Sequence, residues 1–377
     1  MRIAVLALRS LRGTGFATRI TSMVEWYAAA GHEVDVFHYR FAHEEKLPDP
    51  VATTVRRYVT VPLGGARFRQ HATLLPPLAW QCHRAPSPVS EGSRRYDIVQ
   101  AETSNTWSVA RRLPCRKRLL VLHDDDAVRL RTIAMIAPKL RHRIAAGLSS
   151  RKYSRWQRIA IQEADRTWFV SGSELDRLGS TRPGQTTRLI PNGASDELFS
   201  VPLPSETSGR EVLFVGPRSY EANARGLDWF LRHPWPLIRQ RVSGAHLRVV
   251  GVGWEDFGLH PGVSFVGWSD SLADEYARSR IAIAPLFAGG GTKTKVVEAM
   301  AAARPVVATS PAAEAIPRSE GMRVCNEAGS FADEVSRFLT HTDAARRAGA
   351  SNRRTVDSLR WSAVWERADR DLESLMQ

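Results

Sequence analysis

Cysteine is scarce in this sequence: three residues in 377, Cys82, Cys115 and Cys325, far apart and without the spacing of a metal site. A disulfide framework or a zinc-built core is excluded as the main support of the fold. The usage suits a reducing cytoplasm, with the thiols as small core residues. Long apolar runs are missing too, and no uncharged stretch approaches the roughly 18 residues that span a bilayer. The opening MRIAVLAL has the apolarity of a leader, but it is very short and runs into the basic RSLRGTG, so a first buried strand accounts for it better. The sequence also lacks a Ser-His-Asp signal, an HExxH zinc site, a P-loop, short internal repeats and low-complexity tracts. Acid is absent from one long stretch. Between Asp126 and Glu163 there is none, whereas Arg129, Arg131, Lys139, Arg141, Arg143, Arg151, Lys152, Arg155 and Arg158 all fall there.

What is present is ordinary globular material. Hydrophobic residues make up 43% and charged residues 24%, and the length suits two domains rather than one core. The charge is biased: 53 Lys and Arg against 39 Asp and Glu leave +14, which points to a polyanionic partner such as nucleic acid, anionic lipid or a phosphorylated ligand. No aromatic RNA platform or compact DNA-reading module accompanies it, so nucleic acid is set aside.

Along the first half, short β-rich runs alternate with amphipathic stretches. RIAVLAL leads through a glycine turn to a helical pattern at Ile20, Val24 and Tyr27 that stops at Gly31. EVDVFHY, YDIVQAE, KRLLVLHD and RTWFVS read as further strands. RRYVTVP is another candidate, with the Pro-rich tail after it read as loop. RLIPNGASDELF, Arg188 to Phe199, breaks the rhythm. A fresh alternation follows in EVLFVG, HLRVVGVG, VSFVG, IAIAPL and PVVATS. Strands alternating with helices imply two α/β units, each with a parallel sheet wound on both faces. The expected division is 1–190 and 191–355, with an amphipathic helix over 356–377, carrying Trp361 and Trp365, packing back on the first unit.

The chemistry concentrates in IAIAPLFAGGGTKTKVVEAMAAARPVVATS, Ile281 to Ser310. A buried strand gives way to Gly289, Gly290 and Gly291, and a helix is expected to open near Thr292. Such a turn aims free backbone N–H groups and the positive end of a helix at one spot, which suits a phosphate. Lys295 and Glu298, three apart, share a helix face. Lys295 can neutralise a diphosphate, and Glu298 can accept hydrogen bonds from ribose hydroxyls. The plain alternative is a solvated helix pair.

GGGTKTKVVEAMAAARPVVAT resembles the nucleotide-sugar motif of the retaining glycosyltransferases of family 4, the group 1 transferases. Asn192 and Gly193 in a PNG linker, FVG followed by a Gly-Leu helix, HLRVVGVG, VSFVGW and the early GTG turn leading to AAAGHEVDVF extend the resemblance over nearly the whole chain. It implies the GT-B fold: α/β, two Rossmann-like parallel-sheet domains facing across a cleft, the first on the acceptor side and the second binding the nucleotide sugar. It implies hexosyl transfer to a hydroxyl acceptor with retention of configuration, in a setting such as polysaccharide biosynthesis, with closure of the domains excluding water. Glu298 matches the family's second motif glutamate, the ribose ligand. The first falls at Gly290 here, a departure that leaves the donor sugar's hydroxyls to backbone groups or another residue.

The resemblance further implies an Arg and a Lys for the donor phosphates just inside the second domain. Arg218 and Arg225 are the nearest candidates, since Pro217 stands where the Arg is expected. His123 ends a strand where the family often places a histidine facing sugar or acceptor, so His123, Lys295 and Glu298 form the expected catalytic set. Gly13, Thr14 and Gly15 make the first domain's phosphate-facing loop; with Thr18 in the sixth position it is not GxGxxG. Thr292 and the three glycines complete the donor-binding set. No cofactor and no metal are expected. The Asp-x-Asp pattern in Asp124, Asp125 and Asp126 reads as strand-end polar residues or helix caps. Arg9 is a phosphate or acceptor candidate, and Trp268 reads as a packing residue before a base-flanking one.

The expected partners are the nucleotide sugar, a hydroxyl acceptor that includes lipid-linked glycans, and an anionic membrane met through the 127–162 basic stretch, which places the chain in the cytoplasm or at the inner membrane face. Two rivals stay open: a sugar-nucleotide epimerase of the same architecture, and a degenerate transferase that binds without turnover.

Overall fold

The computed structural model describes residues 1–8, 15–41, 53–63, 75–86, 95–136, 140–179, 186–205, 209–287 and 292–377. The chain divides into two compact units, one built from Met1–Arg12, Phe16–Pro191 and Trp365–Gln377, the other chiefly from Asn192–Val364.

The first unit holds β1 (Arg2–Leu8), α1 (Gly15–Ala29), β2 (Glu33–Phe41), β3 (Arg57–Leu63), α2 (Pro77–Arg84), β4 (Tyr96–Ala101), α3 (Trp107–Ala110), β5 (Cys115–Leu122), α4 (Asp126–Ile136), α5 (Leu140–Glu163), β6 (Arg166–Phe169), α6 (Gly172–Leu178) and β7 (Thr186–Leu189). Its strands form one parallel sheet in the order β3-β2-β1-β4-β5-β6-β7. Ile3 to Ala7 of β1 are fully buried, as the unbroken apolar run of a central parallel strand requires. In α1, Ile20, Val24 and Tyr27 turn inward as the helical spacing predicts, and the left-handed Gly31 follows at φ +79°. The polar anchor of this unit is Asp371 on the final helix, α14 (Trp361–Met376). It accepts from Arg166 at 2.6 Å and Trp168 at 2.7 Å. Trp365 of the same helix is buried and donates to Ser22 at 2.8 Å.

The Pro-rich tail expected as loop contains α2. Pro77 stands in its first turn, where a missing N–H breaks no helical bond, so proline here starts a helix. β7, unread in the sequence, is a polar, partly exposed edge strand.

The second unit holds β8 (Glu211–Val215), α7 (Glu221–Arg232), α8 (Pro234–Arg241), β9 (His246–Val250), β10 (Val263–Gly267), α9 (Leu272–Arg278), β11 (Ile281–Ala284), α10 (Thr294–Ala301), β12 (Val306–Ala308), α11 (Ser310–Ala313), β13 (Met322–Val324), α12 (Ala328–Thr340) and α13 (Thr342–Thr355). Its parallel sheet runs β10-β9-β8-β11-β12-β13. In both sheets the order reverses beside the first strand, β1 or β8. Loops at the carboxyl ends of the flanking strands diverge there and leave a crevice for a ligand. Gly193 of the PNG segment has no room for a side chain: an added Cβ would lie 2.5 Å from the Leu359 carbonyl. The three cysteines are buried and unbridged, as core residues. Among the described residues no helix is long and apolar enough to cross a membrane.

Candidate active site

In the second unit β11 and α10 stand on the two sides of the glycine turn, and Gly289, Gly290 and Gly291 themselves lie outside the described residues. α10 opens at Thr294, two residues later than expected. Lys293 is extended at φ −80°, ψ 95° and takes the capping place, its carbonyl accepting from Val296 at 2.9 Å. Lys293 supplies no side-chain cap, so the first-turn amides keep the capacity for an anion that such helix ends have. Thr292 lies just ahead of this cap, half-buried.

Lys295 and Glu298 lie one turn apart on α10, and neither is the solvated residue of the plain alternative. The Lys295 ammonium donates to Asn223 Oδ1 at 2.5 Å and sits 4.5 Å from the centroid of the Phe214 ring. Glu298 is only 8% exposed. Burial pushes Lys295 down from 10.5 to about 7, with Glu298 opposing the shift and Lys293 adding to it. Burial likewise raises Glu298 to about 7, opposed by Lys295. Below them lies fully buried Tyr276, whose hydroxyl donates to the Lys295 carbonyl at 3.2 Å. Burial, and then Glu298, hold that phenol far above its ordinary value. Half-buried Lys295 and buried Glu298 thus sit at one helix end without a hydrogen bond between them, which leaves binding capacity for a polar ligand.

The turn after β8 closes on the same group. Gly216 has φ +146°, and an added Cβ would fall 2.4 Å from Asn223 Nδ2 and 2.8 Å from Lys295 Nζ, so only glycine fits. Asn223 spans the turn, donating to the Pro217 carbonyl at 2.8 Å while accepting from Lys295. Arg218 follows, its backbone N–H on Val252 at 3.0 Å and its guanidinium 5.3 Å from the Phe257 centroid. Arg225 is half exposed and pairs with Glu221 at 2.6 Å along α7. Asn223 is the polar partner the sequence did not single out.

In the first unit His123 follows β5, and its Nε2 lies 2.8 Å from Glu102 Oε2. Glu102, just past β4, is fully buried, and its other oxygen accepts from Gln100, which in turn accepts from Tyr27 at 3.1 Å. An ionised carboxylate can only accept, so Nε2 is the donor in this pair. Phe16 packs edge-on against the imidazole at 4.6 Å. Arg19 is buried nearby and donates to the Pro191 carbonyl at 2.8 Å; burial lowers it to about 10 against the pull of Glu102. His123 is thus an oriented histidine on a buried polar chain. Gly15 opens α1, and Arg9, Gly13 and Thr14 lie outside the described residues.

Of the three aspartates after His123, Asp125 caps a helix. Asp125 Oδ1 accepts from Ala127 at 2.9 Å and Val128 at 3.0 Å at the start of α4, and its other oxygen pairs with Arg177 at 3.0 Å. Trp268 is not a core residue. It is 56% exposed, with Nε1 on Asp270 at 3.0 Å, because the turn after β10 carries it out of the core.

Two family descriptions match the chain: Glycosyltransferase Family 4 over residues 13–198, and Glycosyl transferases group 1 over residues 209–341. No curated protein sequence matches it. Among solved structures, the sucrose-phosphate synthase of Thermosynechococcus elongatus is similar at 19% identity with a TM-score of 0.71, covering 100% of this chain and 99% of that one. HepE of Anabaena, solved with UDP-glucose, is 14% identical with a TM-score of 0.65 over 99% of this chain and 100% of its own. WaaG, a glycosyltransferase involved in lipopolysaccharide biosynthesis, is 16% identical with a TM-score of 0.65 over 97% and 98%. The two parallel-sheet units are those of the GT-B fold class.

Proposed function

Since the chain belongs to the family 4, or group 1, glycosyltransferases, we propose that it moves a hexose from a nucleotide diphosphate sugar to a hydroxyl acceptor with retention of anomeric configuration. The observation that carries this reading is the Lys295–Glu298 pair at the amino end of α10, with Gly216 and Asn223 packed against the ammonium. The donor diphosphate takes the first-turn amides and the ammonium, and the nucleoside's ribose diol takes Glu298. The acceptor oxygen bonds to the anomeric carbon on the face from which the diphosphate departs. The bond from that carbon to the phosphate oxygen breaks, and the acceptor's proton passes to the leaving phosphate. The negative charge that then grows is assigned to Lys295 and the α10 amides, with Arg218 as a further cation, the preorganised form of electrostatic catalysis.

Gly289, Gly290, Gly291 and Thr292 are assigned to the same phosphate turn, and Gly13 and Gly15 to the loop of the first unit. Arg225 joins the phosphate cations only by leaving Glu221. His123, held by Glu102, is assigned to hydroxyl recognition by the first unit. No metal and no cofactor enter the scheme. The setting proposed is polysaccharide biosynthesis at the inner face of an anionic membrane, met through the basic 127–162 stretch.

The test is turnover by the purified protein with UDP-, GDP- and dTDP-sugars, read as nucleotide release and by NMR of the product's anomeric centre. Acceptor-dependent release with an unchanged anomer is expected. An isomerised donor without acceptor, an inverted product, or binding without turnover would each overturn the proposal.

A further inference from the structure

The α4–α5 hairpin has an outward face that the described residues of the first unit leave uncovered. On α5 the inward face is Ala146, Ser150, Tyr153, Gln157 and Ala160, all buried. Ser150 fastens this face to α4 through the Ala127 carbonyl at 2.8 Å. Opposite lie Leu140, Ile144 and Leu148, exposed by 68%, 56% and 56%, at strict four-residue spacing. Met135, near the end of α4, adds a fourth apolar chain at 69% exposure. At about 1.5 Å per residue the α5 stripe runs about 12 Å along the axis. Past it the same face turns cationic: Arg151, Arg155 and Arg158 follow at three- and four-residue steps and are all exposed. No acidic residue answers them before Glu163, which is already paired with Arg111 at 3.0 Å.

We infer that this hairpin is a membrane-docking surface that seats the Leu140–Ile144–Leu148 stripe and Met135 at the acyl boundary of an anionic bilayer, with Arg151, Arg155 and Arg158 at the level of the lipid phosphates. The inference rests on the membrane attachment proposed above and adds insertion to it. An apolar patch followed along one face by a row of arginines matches the layering of an anionic interface, hydrocarbon and then phosphate. A nucleic acid would satisfy the arginines and leave four apolar side chains in water. The stripe is uncovered and away from the core, so altering it does not touch the packing that holds α5 in place.

Sedimentation with phosphatidylcholine vesicles, with and without phosphatidylglycerol, tests it on the full chain. The wild type is expected to bind only the phosphatidylglycerol vesicles. The Leu140→Ser, Ile144→Ser, Leu148→Ser triple variant should bind them at least about tenfold more weakly, at an unchanged Tm. A polarity-sensitive dye on Ile144→Cys, selective because the three native cysteines are buried, should shift to the blue on the same vesicles. If the triple variant binds as well as the wild type and the dye stays in water, insertion is refuted while charge-driven attachment stands. If the wild type ignores phosphatidylglycerol, both fall. A lipid-free dimer abolished by the triple variant would make the stripe a self-association surface and would also overturn the inference.

Discussion

Donor binding should be linked to proton uptake. Free Lys295 is held near 7 rather than 10.5 because its ammonium is buried beside Phe214 and Asn223. A nucleotide sugar is a diphosphate diester, so its own charge does not titrate between about pH 6 and 9, and any linked proton belongs to the protein. Placing that charge on Lys295 favours the protonated form and moves its pKa back upward. The sign follows: below about 7 the lysine is already charged and affinity is flat, whereas above it each pH unit costs up to about tenfold in affinity, or about 1.4 kcal/mol, until the pKa of the bound form is reached. Glu298 works the other way if the ribose diol needs the ionised carboxylate, and Glu298→Gln removes that contribution. Isothermal titration in buffers of different protonation enthalpy, with whichever UDP-, GDP- or dTDP-sugar binds, reads the proton count directly. An affinity that stays flat from about pH 6 to 9, with heats independent of the buffer, would refute the reasoning.

Two substitutions probe the groups around the site. Gly216→Ala forces a side chain to φ +146° and into Asn223 and Lys295; a loss of more than about 1 kcal/mol of stability is expected, together with donor binding, and an unchanged Tm would show the turn to be slack. Glu102→Gln keeps the shape of the pair with His123 while replacing its carboxylate; kcat/KM should fall about tenfold with donor affinity unchanged, Glu102→Asp should recover part of the loss, and full activity in Glu102→Gln would remove the orienting role.

The central strands could be read from the sequence because parallel strands covered on both faces need unbroken apolar runs, and RIAVLAL or IAIAPL can be little else. The edge strands could not. TTRL in β7 is partly exposed, and only the first residue of MRV in β13 is buried, so neither shows a core pattern. α2 was hidden by its prolines, which suit a helix start as well as a loop. In the site, Lys295 and Glu298 announce themselves through three-residue spacing behind a glycine turn. Asn223 does not, because a polar residue on a helix gives no sign of what it faces. Glu102 lies 21 residues from His123, and only the pairing of β4 with β5 brings them together. Trp268 shows the converse, an aromatic residue that reads as packing but is turned outward by the local path of the chain.

A crystal structure of the protein with a bound nucleoside diphosphate decides whether the amino end of α10 is the donor site. A phosphate is expected on the amides of Thr294 and Lys295, with the Lys295 ammonium drawn from Asn223 onto a phosphate oxygen and the ribose hydroxyls about 3 Å from Glu298. A nucleotide seated elsewhere, with Lys295 still on Asn223 and Glu298 untouched, would contradict it.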